Sequence, residues 1–346
     1  MLLPSQPLLP LVVGVAGEVL TDHERALFAH AAPAGLILFG RNCREPGQVM
    51  GLIDAARSAA GWPELPVLID QEGGRVARLG PPAWPASPAP RTLVPAHGPV
   101  AAADLKRARA FGRLQARTVA ALGIAINCLP LLDVPAADSD PIMGDRTFGA
   151  DPAQVTALAR AVMAGHNDVG VLPVIKHLPG HGRARVDSHQ ALPVVDASAA
   201  ALAAHDWSPL MALAPEAPLA MTAHVVYPAL DAAVPATWSR PIIQQVIRER
   251  FGFCGILLSD DICMGALVGP VVTRAQRALT AGCDLAVHCD GDATALAALW
   301  GAIVPMSQAG ADRWARLVRG QPVAGALAAP TAEDWRAWQA GETADE

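Results

Sequence analysis

Lysine is almost missing from this chain. Of 26 basic residues in 346, only Lys106 and Lys176 are lysine. Positive charge is scarce as a whole: the net charge is -6 and the pI near 5.9. A nucleic-acid binder would show a basic face, so no nucleic-acid partner is expected. There is no CxxC pair, although the chain has six cysteines: Cys43, Cys128, Cys254, Cys263, Cys283 and Cys289. Several lie in or beside apolar runs, which suggests buried free thiols in a reducing compartment. No apolar run reaches the ~20 residues of a membrane span, so no membrane partner is expected. The apolar start, MLLPSQPLLPLVVGVAG, has no Lys or Arg ahead of it and is broken by Pro4, Pro7 and Pro10. It reads as the lead-in to a first strand rather than a secretory signal, and a cytoplasmic location follows by default. Neither GxGxxG nor HExxH occurs, which removes the simplest signs of a dinucleotide fold and of a zinc protease.

What is present is a 52% hydrophobic chain with a regular alternation. Short apolar runs lead into longer Ala/Leu/Arg segments with helical character. The runs are Leu11 to Gly17, Gly35 to Gly40, Pro66 to Asp70, Ile124 to Val134, Leu172 to His177, Leu219 to Tyr227, Gly255 to Asp261 and Asp284 to Asp290. Helices are expected from about Asp22, with a Thr21/Glu24 capping box. Others are expected over Pro46 to Ala60, Ala102 to Leu122, Pro152 to Asn167, Ala197 to Leu213, Pro241 to Phe251, Val271 to Ala281 and Ala293 to Ile303. The strands are continuously apolar, as in a parallel sheet covered on both faces. Eight such units predict a single α/β domain, a (β/α)8 TIM-type barrel, ahead of a doubly wound sheet. The domain is taken as residues 1–346, with a core of about 8–310 and a helical tail over 311–346.

In a barrel, chemistry sits at the C-terminal ends of the strands. Strand three ends in Asp70, followed by Arg75 and Arg78; strand four ends near Asp133, with Arg146 in its loop. Strand five ends in Lys176 and His177, one of the two lysines of the chain. Strand six carries His224. Strand seven ends in Asp260 and Asp261, and strand eight in His288 and Asp290. One polar terminus can be a strand-end solvation signal; this many on one rim suggest a site. Cations around Asp260 would keep it ionised, as a nucleophile requires. Mixed carboxylates and cations suit a polyol better than a phosphate. Asp187 and His189, two apart, fall on one side of an extended loop, at the far side of a glycine hinge formed by Gly180 and Gly182. That histidine would suit acid–base work near neutrality, with Asp187 orienting its ring.

The motifs that carry these residues are DQEGGRVARL (70–79), NCLPLLDV (127–134), DRTFG (145–149), KHLPGHG followed by DSH (176–189), MTAHVVYPALD (221–231) and LLSDDICMGA (257–266). In this order the chain resembles the bacterial β-N-acetylglucosaminidases of glycoside hydrolase family 3, the peptidoglycan-recycling type. The resemblance implies a retaining exo-β-N-acetylglucosaminidase. Asp260 takes the place of its nucleophile, His189 of the proton donor, and Asp187 of its partner. Asp70, Arg78, Arg146, Lys176 and His177 match positions that bind N-acetylglucosamine. The implied substrate is a muropeptide, N-acetylglucosamine β-1,4-linked to anhydro-N-acetylmuramic acid, and no metal or cofactor is implied. Relatives with a second domain draw an acid Glu from it; here the barrel is expected to supply its own acid. Two departures stand out: Arg183-Ala184-Arg185 where Asp-Thr is common, and Leu178 where Phe is usual.

Three rival readings stay in view. His177, His181 and His189 could ligate a metal, but the neighbouring Lys176 and basic loop disfavour a cation. A phosphorylase on the same fold would use the extra arginines. A non-catalytic sugar-binding barrel would not need Asp260 with Asp187 and His189. His181 is expected to brace its own loop, and Cys263 and Met264 to pack beneath the rim. His224 and Asp290 are read as supporting groups, and His23 and His205 as surface residues.

Overall fold

The computed structural model describes residues 3–320 and 322–342. Its barrel strands are β1 (Leu8–Val13), β2 (Ala32–Leu38), β3 (Val67–Ile69), β4 (Ile126–Asn127), β5 (Leu172–Leu178), β6 (Leu219–Thr222), β7 (Ile256–Asp261) and β8 (Leu285–His288). All eight pair in parallel with their sequence neighbours, and β8 pairs with β1 to close the barrel. The expected TIM-type fold is therefore borne out. β1 and β2 are buried at every position, which is why they read as unbroken apolar runs.

Helices cover the outside. They are α1 (Asp22–His30), α2 (Pro46–Ala59), α3 (Ala102–Ala120), α4 (Pro152–Val169), α5 (Ala199–Ala204), α6 (Ser208–Leu213), α7 (Val271–Ala281), α8 (Ala293–Ala302), α9 (Gln308–Leu317) and α10 (Ala332–Gln339). The Thr21/Glu24 capping box is present at α1. Residues Ile242–Arg250 form a π-helix.

Two elements differ from their sequence reading for identifiable reasons. The run over 124–134 pairs as a regular strand only at Ile126–Asn127, because Pro130 has no N–H to give the ladder. The chain beyond it still runs beside β5: Leu132 N–H donates to Lys176 O at 2.7 Å. The single helix expected over 197–213 is two. Pro209 fits only the first turn of a helix, and between the halves Asp206 turns its carboxylate inward.

The last helices are docked, not free. Helix α9 crosses residue 310, and Trp314 donates its indole N–H to Ala34 O on β2 at 2.8 Å. In α10, Trp335 and Trp338 are buried and pack on Phe111 of α3. The cysteines are all free; Cys128, Cys283 and Cys289 are buried, but Cys254 is exposed, contrary to the sequence expectation. Among the described residues no helix is long and apolar enough to cross a membrane.

Candidate active site

The first wall of the site is built by the turn after β3. The side chain of Gln71 is buried and fills a small hairpin, accepting from the Arg78 and Leu79 amides at 3.0 Å and donating to Leu79 O at 3.0 Å. Asn127 at the end of β4 pins the same residue, bonding both its N–H and its C=O at 3.0 Å. That frame aims Asp70 and Glu72, two apart, toward β5. Lys176 Nζ lies 2.9 Å from Asp70 Oδ1 and 2.7 Å from Glu72 Oε1. Arg146 donates to both oxygens of Glu72, at 2.8 Å each. Arg78 reaches the other oxygen of Asp70 at 3.3 Å. Burial alone would raise the pKa of Asp70, but Lys176 and Arg78 outweigh it and hold the carboxyl below the ordinary carboxylate range. Glu72 is fully buried, and Arg146 and Lys176 hold it ionised against the same burial.

The second wall comes from β4 and β5. Asp133 is buried and accepts from His177 Nδ1 at 2.7 Å and from the His181 amide at 2.6 Å. A carboxylate only accepts, so His177 Nδ1 carries the hydrogen and Nε2 is the nitrogen left for a ligand. The loop then turns back over the barrel. A Cβ at Gly182 would collide with the Val134 carbonyl oxygen, so this glycine is a point of close approach rather than a hinge. Ser139 Oγ hydrogen-bonds Gly182 O, and Asp140 N–H donates to Ala184 O at 2.8 Å. The two arginines of the loop tip now have partners. Arg183 shares its Nε–H between the two oxygens of the buried Asp206, at 2.9 and 2.8 Å, and Arg185 pairs with the exposed Asp138.

Beyond the tip stand the two residues read as an acid–base pair. His189 Nδ1 donates to Asp187 Oδ1 at 2.7 Å, and the His189 amide donates to the same oxygen at 2.9 Å. Burial would raise the Asp187 pKa, but these contacts lower it, so Asp187 is ionised. The loop is held to the segment after β7: Gly265 N–H donates to His189 O and Ala266 N–H to Ser188 O, both at 3.1 Å. His181, buried, braces the loop through Ser188 Oγ at 3.1 Å, as expected, and burial lowers its pKa to about 4.

The floor is the end of β7. Asp260 Oδ1 accepts from the Asp261 amide at 2.8 Å; no described residue hydrogen-bonds its Oδ2. Burial pushes its pKa up, but His177, His224 and Lys176 prevail and lower it. His224 is buried and hydrogen-bonds the Asp261 carbonyl through Nε2 (2.9 Å) and Thr237 Oγ1 through Nδ1 (2.7 Å). It therefore supports the floor from behind. Asp261 Oδ1 is held by the Cys263 and Cys289 amides at 3.0 and 3.1 Å.

Asp70, Arg78, Arg146, Lys176, His177, Asp187, His189 and Asp260 all line one cavity of about 240 Å³ at the C-terminal mouth. Arg75 turns away to Asp145 at 2.9 Å. His288 and Asp290 lie off the cavity, against Cys263. Sequence reasoning missed Glu72 as the hub of the cation cluster and Asp133 as the partner of His177. The first had a signal, being two residues after Asp70 on the same face. The second ends its apolar run, but its partner is remote in sequence.

Comparison with known proteins follows the same lines. The model for the glycosyl hydrolase family 3 N-terminal domain matches residues 11–313. The chain belongs to glycosyl hydrolase family 3. A β-hexosaminidase of Idiomarina loihiensis is 37% identical over 296 residues, 84% of this chain and 86% of its own length. One from Alkalilimnicola ehrlichii is 38% identical over 284 residues, 81% and 80% of the two chains. NagZ from Neisseria gonorrhoeae, solved in complex with N-trifluoroacetyl-D-glucosamine, superposes with a TM-score of 0.82 at 30% identity, covering 98% of this chain and 97% of its own. The family reading drawn from the motifs is borne out.

Proposed function

We propose that the cavity hydrolyses terminal, non-reducing β-N-acetylglucosaminides with retention, through a covalent glycosyl-Asp260 intermediate. The enzyme class is that of its relatives, the β-hexosaminidases. The observation that carries the mechanism is the pairing of an ionised Asp260 with the Asp187–His189 dyad on the same cavity. His189 Nδ1–H is fixed by Asp187, so Nε2 is the nitrogen that gives its proton to the leaving glycosidic oxygen. Asp260 Oδ2 attacks the anomeric carbon as that bond breaks. His189 Nε2 then takes a proton from a water whose oxygen bonds to the anomeric carbon as the carbon–Asp260 Oδ2 bond breaks, which releases the sugar, frees the Asp260 carboxylate and restores the dyad. Asp187, ionised throughout, stabilises the imidazolium form. Asp70, Lys176, His177, Arg78 and Arg146 supply acceptors and donors for the sugar. At about 240 Å³ the cavity is below the roughly 300–1,000 Å³ of pockets for drug-sized ligands, which favours a single terminal sugar.

The natural substrate is a peptidoglycan fragment, N-acetylglucosamine β-1,4-linked to anhydro-N-acetylmuramic acid, and the role is cell-wall recycling in the cytoplasm. This follows from the resemblance of the motifs. The protein is one catalytic barrel unit over the whole chain and uses no metal or cofactor in the reaction. Hydrolysis is favoured over phosphorolysis because Arg183 and Arg185 are paired with Asp206 and Asp138 and do not line the cavity. The lining cations Arg78, Arg146 and Lys176 are paired with Asp70 and Glu72. The test is a chromogenic β-N-acetylglucosaminide against the matching β-glucoside, with and without phosphate, on wild type and His189→Ala. The glucoside should be poor, the product free sugar at all phosphate levels, and the variant slow. A sugar 1-phosphate product, or full activity of His189→Ala, would refute the proposal.

A further inference from the structure

Behind the floor of the cavity, outside its lining, Cys263 Sγ, a His288 ring nitrogen and an Asp290 carboxylate oxygen lie within 4.8 Å of one another. Cys263 follows β7, His288 ends β8 and Asp290 lies two residues beyond it; these strands are neighbours in the barrel. The proposed glycosidase chemistry uses none of the three. His288 is fully buried, yet neither of its ring nitrogens has a hydrogen-bond partner. Its Nε2 lies 3.2 Å from Asp290 Oδ1 but out of line for a hydrogen bond. Buried ring nitrogens are normally satisfied, and an unsatisfied one calls for an explanation.

We propose that Cys263, His288 and Asp290 form a binding site for a soft divalent cation of the zinc class. The donor set of thiolate, imidazole and carboxylate is the one such ions choose. Zinc bond lengths place tetrahedral ligand atoms about 3.3–3.6 Å apart, so the side chains close in modestly on binding. Asp290 is half exposed and free to make that move; its Oδ1 also accepts from the Asp292 amide at 2.8 Å. Water completes the coordination on the open side. Burial keeps His288 neutral, the form in which a ring nitrogen ligates. In the metal-free protein, burial and Asp261 hold the Cys263 thiol protonated against the pull of the Asp290 and Cys289 amides; the cation displaces that proton to solvent. The Cys263 and Cys289 amides also hold Asp261. The ion would thus tie the ends of β7 and β8 together beneath Asp260 and Asp261, a bracing role apart from the sugar chemistry.

Cobalt(II) is the probe. Chelator-stripped full-length protein is titrated with cobalt chloride, and the near-ultraviolet thiolate-to-cobalt band and the melting temperature are followed. One equivalent should raise the band and lift Tm by several degrees. Cys263→Ser should remove the band and weaken cobalt binding at least about 100-fold, with the metal-free near-ultraviolet circular dichroism unchanged. His288→Asn, read in parallel, should lower affinity likewise, so a folding defect in one variant leaves the other decisive. His189→Ala should keep both band and affinity. A titration without the band, a band that survives Cys263→Ser, or binding lost in His189→Ala but kept in Cys263→Ser would each overturn the site; the last would put the cation on the acid–base loop.

Discussion

Glu72→Gln is the perturbation that best tests how the sugar-binding cations are held. Glu72 is fully buried and receives Arg146 bidentately and Lys176 at 2.7 Å. The substitution keeps the shape and removes the charge, leaving Arg78, Arg146 and Lys176 to share Asp70. One amide hydrogen pair also faces two cationic donors. An uncompensated buried charge of this kind costs about 3–5 kcal/mol. Unfolding entropy of about 2.1 cal/mol/K per residue over 346 residues converts that to a Tm loss of roughly 4–7 °C. If Arg146 and Lys176 also shift by about 1 Å, turnover of a chromogenic β-N-acetylglucosaminide should fall about 100-fold. Adding Arg146→Met removes one unpaired cation; stability should then recover in part and activity should not. Calorimetry and steady-state kinetics on both variants decide the matter. A Glu72→Gln protein within 1 °C and about threefold of wild type would refute the view that Glu72 organises the site.

Two further outcomes follow from the geometry. A Cβ at Gly265 would come within 2.7 Å of His189 O, so Gly265→Ala should push the acid–base loop off its seat. The expected result is a roughly 10- to 100-fold loss of kcat with little change in Tm; unchanged kcat would show that the contact does not position His189. The second concerns acid stability. His166 is fully buried, its Nδ1–H donating to Val162 O and its Nε2 accepting from Asn127 Nδ2, and burial lowers its pKa to about 4. The unfolded chain, titrating near 6.5, therefore binds more protons between the two values. His166 contributes up to roughly 3 kcal/mol that is present above about pH 6.5 and lost as pH falls toward 4. Urea midpoints of wild type and His166→Gln should converge over that window; a constant difference would contradict the assignment.

The fold was legible because both faces of each strand are buried, so eight unbroken apolar runs stand out from the helices. The site was legible where a strand end and a charge coincide, as at Asp70, Lys176, His177 and Asp260, and where spacing by two sets Asp187 beside His189. What escaped reading depends on partners far apart in the chain. Arg183 and Arg185 looked like free charge until Asp206 and Asp138 were seen to hold them. Gly182 read as a hinge because its neighbour in space, Val134, is remote in sequence. Cys263 read as packing, since its pairing with His288 and Asp290 arises only from the adjacency of β7 and β8. Pro209 did carry the signal that splits α5 from α6, though the surrounding Ala/Leu run masked it.

The central claim is that Asp260 becomes covalently bound to the sugar. Incubation with a 2-acetamido-2-deoxy-5-fluoro glycoside, followed by intact-mass and peptide mass spectrometry, measures this directly. The account predicts one adduct per chain, on the peptide bearing Asp260, absent in Asp260→Ala. An adduct on another residue, or turnover with no adduct and normal activity in Asp260→Ala, would contradict it.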